Sequence, residues 1–346
     1  MITRLIRSNL KKFKPYSSAR SLYQTGVFFD ANENPFGSVV ETPIASELNR
    51  YPDPCSLNLR KALGTFLGVS IENILVGNGS DEVIDLLVRL FVESNEEVLT
   101  IEPTYGMYTI VAELANVAVN RFSLRDNFTL DISALLKSVT PKTKIIFCCS
   151  PNNPTGTLIS DEDIKRLCRT FKGIVVVDEA YIEFSSQPSL VKKISEFQNL
   201  VVLRTFSKAW GLAGIRVGCA VAQKEIIEYL DRIKLPYNLN RLSSGLAIEA
   251  LKRYPKMLKW RRLILEEREK LAIDLVKLGV TVFRSEANFL LVRFPKASIV
   301  AKTLACEYGI IVRDFGSKPL LENCIRISVG TPEQNTLLIN TLAKIL

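Results

Sequence analysis

The feature that most constrains the fold is a series of short apolar, β-branched runs. Each is closed by a polar or Gly/Pro-containing loop, and helical apolar spacing recurs between them. Ile74-Leu75-Val76 leads to Gly77-Asn78-Gly79-Ser80-Asp81-Glu82, after which Val83, Ile84, Leu86, Leu87, Leu90 and Phe91 recur at helical intervals. Val98-Leu99-Thr100-Ile101 leads to Glu102-Pro103-Thr104-Tyr105-Gly106-Met107-Tyr108. The run from Lys144 to Cys149 leads to Ser150-Pro151-Asn152-Asn153-Pro154-Thr155-Gly156, and Ile174-Val175-Val176-Val177 to Asp178-Glu179-Ala180-Tyr181. Strands of this kind alternating with helices predict a mostly parallel, doubly wound α/β sheet. Ligands of such sheets bind outside the carboxyl ends of the strands, so the residues that close each run are the ones to inspect for chemistry.

The run Leu200-Val201-Val202-Leu203 is followed by Thr205-Phe206-Ser207-Lys208-Ala209-Trp210-Gly211-Leu212-Ala213-Gly214-Ile215-Arg216 and a further apolar strand from Val217 to Ala222. Lys208 stands alone among apolar and small neighbours. Burying an ammonium is costly and lowers its pKa, which suits a lysine that forms a Schiff base. Read by itself, the stretch fits a surface lysine in a strand–turn–strand segment equally well. Asp178, at the end of a buried strand, needs a charged or hydrogen-bonding partner, either a structural ion pair or a functional one. The loop before Val83 opens a helix with Ser80 or Asp81 as the expected N-cap. Free amides there attract a phosphate, although an ordinary capped helix has the same pattern.

Composition narrows the chemistry. Hydrophobic residues make up 47% and charged residues 23%, a globular balance. The longest apolar runs are strand-sized, so no membrane span is expected. The 45 basic against 36 acidic residues give a net charge of +9. The positive charge is scattered rather than clustered with aromatics, which argues against nucleic acid and agrees with anionic small substrates. The seven cysteines show no metal or redox spacing and read as reduced thiols. There are no histidines. That excludes His triads and His metal sites, and leaves Lys, Tyr, Asp, Glu or Cys for any proton transfer. The basic opening segment lacks a signal-peptide core and cleavage site, so a cytoplasmic enzyme is expected.

Helices are predicted over 57–67, from Asp161 behind Ser160, over 225–233, 243–251 and about 257–278, the last leading into a smaller second domain. That domain has strands near 281–283 and 289–294, a helix near 299–308, the segment Gly309-Ile310-Ile311-Val312-Arg313, then Cys324-Ile325-Arg326-Ile327-Ser328 and a terminal helix. Arg313 and Arg326, at strand edges, either clamp an anion or serve as surface salt bridges. Asn49-Arg50-Tyr51-Pro52-Asp53-Pro54 is a proline-framed turn that displays Tyr51.

These pieces meet in one chemistry, that of pyridoxal phosphate, which needs a lysine, a carboxylate for the pyridine nitrogen, a phosphate cradle and a ring-stacking group. The chain resembles the fold-type-I pyridoxal-phosphate-dependent aminotransferases, and within them the histidinol-phosphate branch. The resemblance runs through KPYSSARS, NENPFG, NRYPDP, GNGSDE, EPTYGMY, SPNNPTG, DEAYIEF, RTFSKAWGLAGIRVG, IIVRD and CIRISVGT. It implies that Lys208 holds the cofactor and shuttles the proton, that Asp178 pairs with the pyridinium nitrogen, and that Tyr105 stacks on the ring. Asn153 and Tyr181 would bond the phenolic oxygen, and Ser80, Asp81, Thr205, Ser207 and Arg216 would line the phosphate end. Tyr51 would reach the neighbouring subunit's cofactor, implying a homodimer. Tyr16, Asn32, Arg313 and Arg326 would face the substrates, histidinol phosphate and glutamate or 2-oxoglutarate. The implied division is an N-terminal arm 1–35, a large cofactor-binding domain 36–255 and a small α+β domain 256–346 completed by the arm. Threonine-phosphate decarboxylation and a broader aromatic transamination are alternative reactions of the same scaffold.

Overall fold

The computed structural model describes residues 25–40, 49, 51–316 and 318–346; Tyr16 lies outside the described residues. Among the described residues the elements run β1 (Val27–Phe28), α1 (Leu57–Leu67), β2 (Ile74–Asn78), α2 (Ser80–Phe91), β3 (Glu97–Glu102), α3 (Met107–Ala115) and β4 (Ala118–Ser123). It continues through α4 (Ile132–Ser138), β5 (Thr143–Cys149), α5 (Asp161–Thr170), β6 (Ile174–Asp178), β7 (Leu200–Thr205), β8 (Val217–Val221), α6 (Lys224–Ile233) and α7 (Arg241–Lys252). The 24-residue helix α8 (Tyr254–Lys277) then leads to β9 (Thr281–Val282), β10 (Phe289–Arg293), α9 (Ala297–Tyr308), β11 (Ile310–Ile311), β12 (Arg313–Asp314), β13 (Cys324–Ser328) and α10 (Pro332–Ile345).

Seven strands form the central sheet in the order β2-β8-β7-β6-β5-β3-β4. Only β8 runs against its neighbours; the other pairings are parallel. The apolar runs are continuous because alternate residues enter different layers. Val175, Val177, Leu200 and Val202 pack into the core on one face, and Val176, Val201 and Leu203 into the core on the other. The parallel direction brings the ends of β2, β3, β5, β6 and β7 to one edge. Because β8 is reversed, its start at Val217, just after Arg216, lies at that same edge.

A four-stranded antiparallel sheet, β12-β13-β10-β9, forms the C-terminal layer. The segment before Asn32 joins it: β1 pairs in parallel with β11, and the Ser328 amide donates to the Phe29 carbonyl at 2.9 Å. Phe29 is buried with Leu271, Leu290 and Leu338, so the last residues of the arm do contribute to a core.

One expectation is corrected. The N-cap of α2 is Gly79, at φ 81°, not Ser80 or Asp81. The positive φ suits glycine, and it turns the chain so that Ser80 is already helical. The cap therefore has no side chain to occupy the first-turn amides. Gly218 of β8 allows the close approach, since a Cβ there would lie 2.4 Å from the Ser80 nitrogen. Among the described residues no helix is long and apolar enough to cross a membrane.

Candidate active site

A cleft of about 330 Å³ opens at this sheet edge, between the edge and the C-terminal layer. Lys208, three residues past the end of β7, points its ammonium at the Ala31 carbonyl, donating at 3.0 Å, and lies 5.6 Å from the centroid of the Tyr181 ring. Burial, with the charge of Arg326 nearby, pushes its pKa down to about 8. An amine so placed is about one-tenth neutral at pH 7, where an ordinary lysine is almost wholly charged.

Asp178 closes β6 and is buried. Its Oδ1 accepts from the Ala180 amide at 3.1 Å and its Oδ2 from the Tyr108 hydroxyl at 2.8 Å. Burial pushes its pKa up to about 6, against the two hydrogen bonds, which favour the anion. The adjacent Glu179 points elsewhere. It accepts from the Leu190 amide at 2.7 Å and from Ser189 Oγ, and its side chain approaches Arg204 at 3.9 Å. Of this acidic pair, Asp178 alone lines the cleft.

At one end, Tyr105 donates to Asp81 Oδ1 at 3.0 Å and Arg216 Nη2 donates to Asp81 Oδ2 at 3.1 Å. Ser80 and Asp81 open α2, whose first-turn amides point out of the helix. The Thr205 hydroxyl donates to Ser207 Oγ at 3.0 Å beside them. Backbone amides, hydroxyls and a guanidinium converging at a helix N-terminus form a site for a phosphate.

At the other end, Asn32 Nδ2 donates to the Tyr181 hydroxyl at 3.1 Å, and Asn32 is itself held by Ser328 and Asn288. Asn153 Oδ1 accepts from Arg326 Nη1 at 2.5 Å. Arg313 and Arg326 stand directly opposite each other in the β12–β13 ladder, and their guanidinium carbons lie 5.7 and 5.9 Å from the Phe315 ring centroid. Two cations on one side of a cleft and a helix start on another can hold two anionic groups with an amine between them.

Among the described residues every candidate named from the sequence lines this cleft except Tyr51. Tyr51 is 78% exposed, with its ring stacked on Tyr237 at 4.7 Å. Asp30, Ala31 and Glu33 line the cleft as well and escape sequence reasoning, because nothing in the arm's composition shows that it folds back over Lys208. Tyr108 also escapes it. Its signal is its place three residues after Tyr105, where the same loop enters α3.

The model of the family described as aminotransferase class I and II matches residues 26–342. The chain is 44% identical to a histidinol-phosphate aminotransferase of Cytophaga hutchinsonii, covering 98% of this chain and 97% of that protein. Among solved structures, histidinol-phosphate aminotransferase from Sinorhizobium meliloti in complex with pyridoxal-5'-phosphate superposes with a TM-score of 0.89. The two are 25% identical, and the match covers 98% of this chain and 97% of that one. L-threonine-O-3-phosphate decarboxylase from Porphyromonas gingivalis superposes with a TM-score of 0.77 at 25% identity, over 92% of this chain and 99% of that one.

Proposed function

The chain belongs to the class I and II aminotransferase family, and on that premise we propose that it transfers the amino group of histidinol phosphate to 2-oxoglutarate. The products are imidazole-acetol phosphate and glutamate, the step belongs to histidine biosynthesis, and pyridoxal 5'-phosphate is the cofactor. The observation that carries the reaction type is the facing of Lys208 and buried Asp178 across one cleft, with a helix start at one end and paired arginines at the other. The choice of substrate rests on the near-full-length likeness to proteins named for it.

The residues fit the cofactor. An aldehyde calls for an amine of lowered basicity, which Lys208 offers; a pyridine nitrogen calls for a buried carboxylate, which Asp178 offers. A phosphate calls for open helix-start amides, and Gly79 and Gly218 keep Cβ atoms out of that space. When bound, the cofactor supplies an electron sink for the charge left as the substrate's α-proton departs.

The chain does the rest. Lys208 Nζ would accept and carry the substrate's α-proton, work that its lowered pKa suits. Tyr105 covers the ring. Asn153, its oxygen engaged by Arg326, offers its amide nitrogen to the phenolic oxygen, as Tyr181 offers its hydroxyl. Ser80, Asp81, Thr205, Ser207 and Arg216 take the phosphate. Asn32, Arg313 and Arg326, with Tyr16, receive the carboxylate of one substrate and the phosphate of the other, a double duty suited to guanidinium groups. Tyr51, exposed on its own subunit, reaches the neighbouring cofactor in a homodimer. We read 36–255 as the cofactor-binding domain and 256–346 with the arm as the small domain, in a cytoplasmic enzyme.

The test is product identification with histidinol phosphate and 2-oxoglutarate, alongside threonine phosphate. Glutamate formation supports the assignment. Release of CO2 from threonine phosphate, with no glutamate formed, overturns it in favour of the decarboxylase.

A further inference from the structure

Tyr108 lies in the first turn of α3, just beyond the loop that carries Tyr105. Its side chain is fully buried, its ring parallel to Phe147 at 4.7 Å and edge-on to Tyr105 at 5.6 Å. A phenylalanine would satisfy both ring contacts. The hydroxyl is therefore the part that needs an explanation, because a buried phenol is costly unless it is hydrogen-bonded. Its acceptor is Asp178 Oδ2, at 2.8 Å.

Each carboxylate oxygen of Asp178 thus has one donor, and the two donors come from different parts of the sheet edge: the Ala180 amide from its own loop and Tyr108 from α3. The titratable groups around the carboxylate are Tyr108 on α3, Cys149 at the end of β5, Asp81 at the start of α2, Tyr181 in the following loop and Lys208 beyond β7. Asp81 and burial both work against a negative Asp178, and the Tyr108 hydroxyl opposes them.

We propose that Tyr108 is a positioning residue of this reaction: its hydroxyl keeps Asp178 ionised and turned into the cleft, so that the cofactor's ring nitrogen meets an anion. The proposal rests on the cofactor assignment above and deepens it. The removal of one oxygen, Tyr108→Phe, leaves the ring contacts in place.

The experiment follows retention of bound pyridoxal phosphate by its visible absorbance across pH, without substrate, in the wild type and in Tyr108→Phe. A hydrogen bond to a charged group corresponds to a shift of about one to two pH units. Wild-type retention should weaken below about pH 6, where Asp178 protonates. In the variant the weakening should begin about one to two units higher, the acid limb of kcat/KM should move with it, and KM for glutamate should stay put. An unmoved midpoint overturns the proposal.

Asp178→Asn, alone and combined with Tyr108→Phe, gives a second reading that needs no buried anion. Equal cofactor affinity in the two proteins supports action through Asp178, and a further tenfold loss in the double variant refutes it. Wild-type protein that neither takes up the cofactor nor transfers amino groups would fail the assignment itself. A normal wild type beside an unshifted Tyr108→Phe would fail only the role of Tyr108.

Discussion

Replacing Arg326 by lysine would keep the charge and remove the fork. The guanidinium is buried, with Nη1 donating to Asn153 at 2.5 Å and Nη2 donating to the Asp30 carbonyl, and its carbon lies 5.4 Å from the Phe289 ring centroid. It therefore ties β13 to the loop after β5 and to the arm while presenting charge to the cleft. An ammonium is a point donor and cannot hold both neighbours and a substrate anion in the same geometry. One hydrogen bond to a charged group contributes roughly 1.5–3 kcal/mol. Its loss predicts a fall in kcat/KM of about ten- to a hundredfold, on both half-reactions, because each substrate places an anion at this arginine. Arg326→Ala has a second consequence. After burial, Arg326 is the main cause of the lowered pKa of Lys208, so its removal should raise that pKa above about 8 and move the alkaline-activated limb of the rate profile upward. Arg326→Lys should move it less. Single-turnover absorbance of each half-reaction, from neutral to about pH 10, reads both effects. A loss confined to one half-reaction, or an unmoved limb in Arg326→Ala, would refute the reasoning.

Lys208→Ala should abolish turnover and the visible absorbance of lysine-bound cofactor while circular dichroism stays native; retained turnover would exclude the assignment. Gly218→Ala places a Cβ 2.4 Å from the Ser80 nitrogen and 2.7 Å from the Gly79 carbonyl carbon. It should weaken cofactor binding and lower the melting temperature together, as both titrations would show; an unchanged protein would mean that β8 and α2 part readily. The Asp178 pKa stands at about 6 against 3.8. Burial thus favours the protonated form, which stabilises the cofactor-free fold below pH 4 and ceases to do so as pH rises through 6. The difference is about 3 kcal/mol. A bound pyridinium reverses the balance, so the gain in melting temperature on adding cofactor should be larger above pH 6 than below it, and calorimetry that finds the opposite order would contradict the ion pair.

Much of the fold was legible because burial writes itself into apolar spacing. The helix expected over 57–67 is α1 to the residue, ended by Gly68 at φ 69°. The edge strand β4 carries no such signal: none of its residues is buried, and polar Asn120 and Arg121 stand in the middle. The strand ends named the cleft residues, since parallel strands bring their closing loops to one edge. The N-cap of α2 is not legible in the sequence because serine caps helices better than glycine in general; the φ of 81° at Gly79, and Arg216 Nη2 lying 2.7 Å from where a Cβ on Gly79 would be, show why glycine stands there. The opposition of Arg313 and Arg326 was open to two readings, because only the strand register decides whether residues thirteen apart face one another.

The most direct measurement is a single half-reaction. Holoenzyme mixed with histidinol phosphate, with no keto acid present, should lose the visible absorbance of its lysine-bound cofactor and release one equivalent of imidazole-acetol phosphate per cofactor. Adding 2-oxoglutarate should then restore the absorbance and release one equivalent of glutamate. Unchanged absorbance with histidinol phosphate, or absorbance lost and never restored by 2-oxoglutarate, would contradict a transaminase that serves two anions in one cleft.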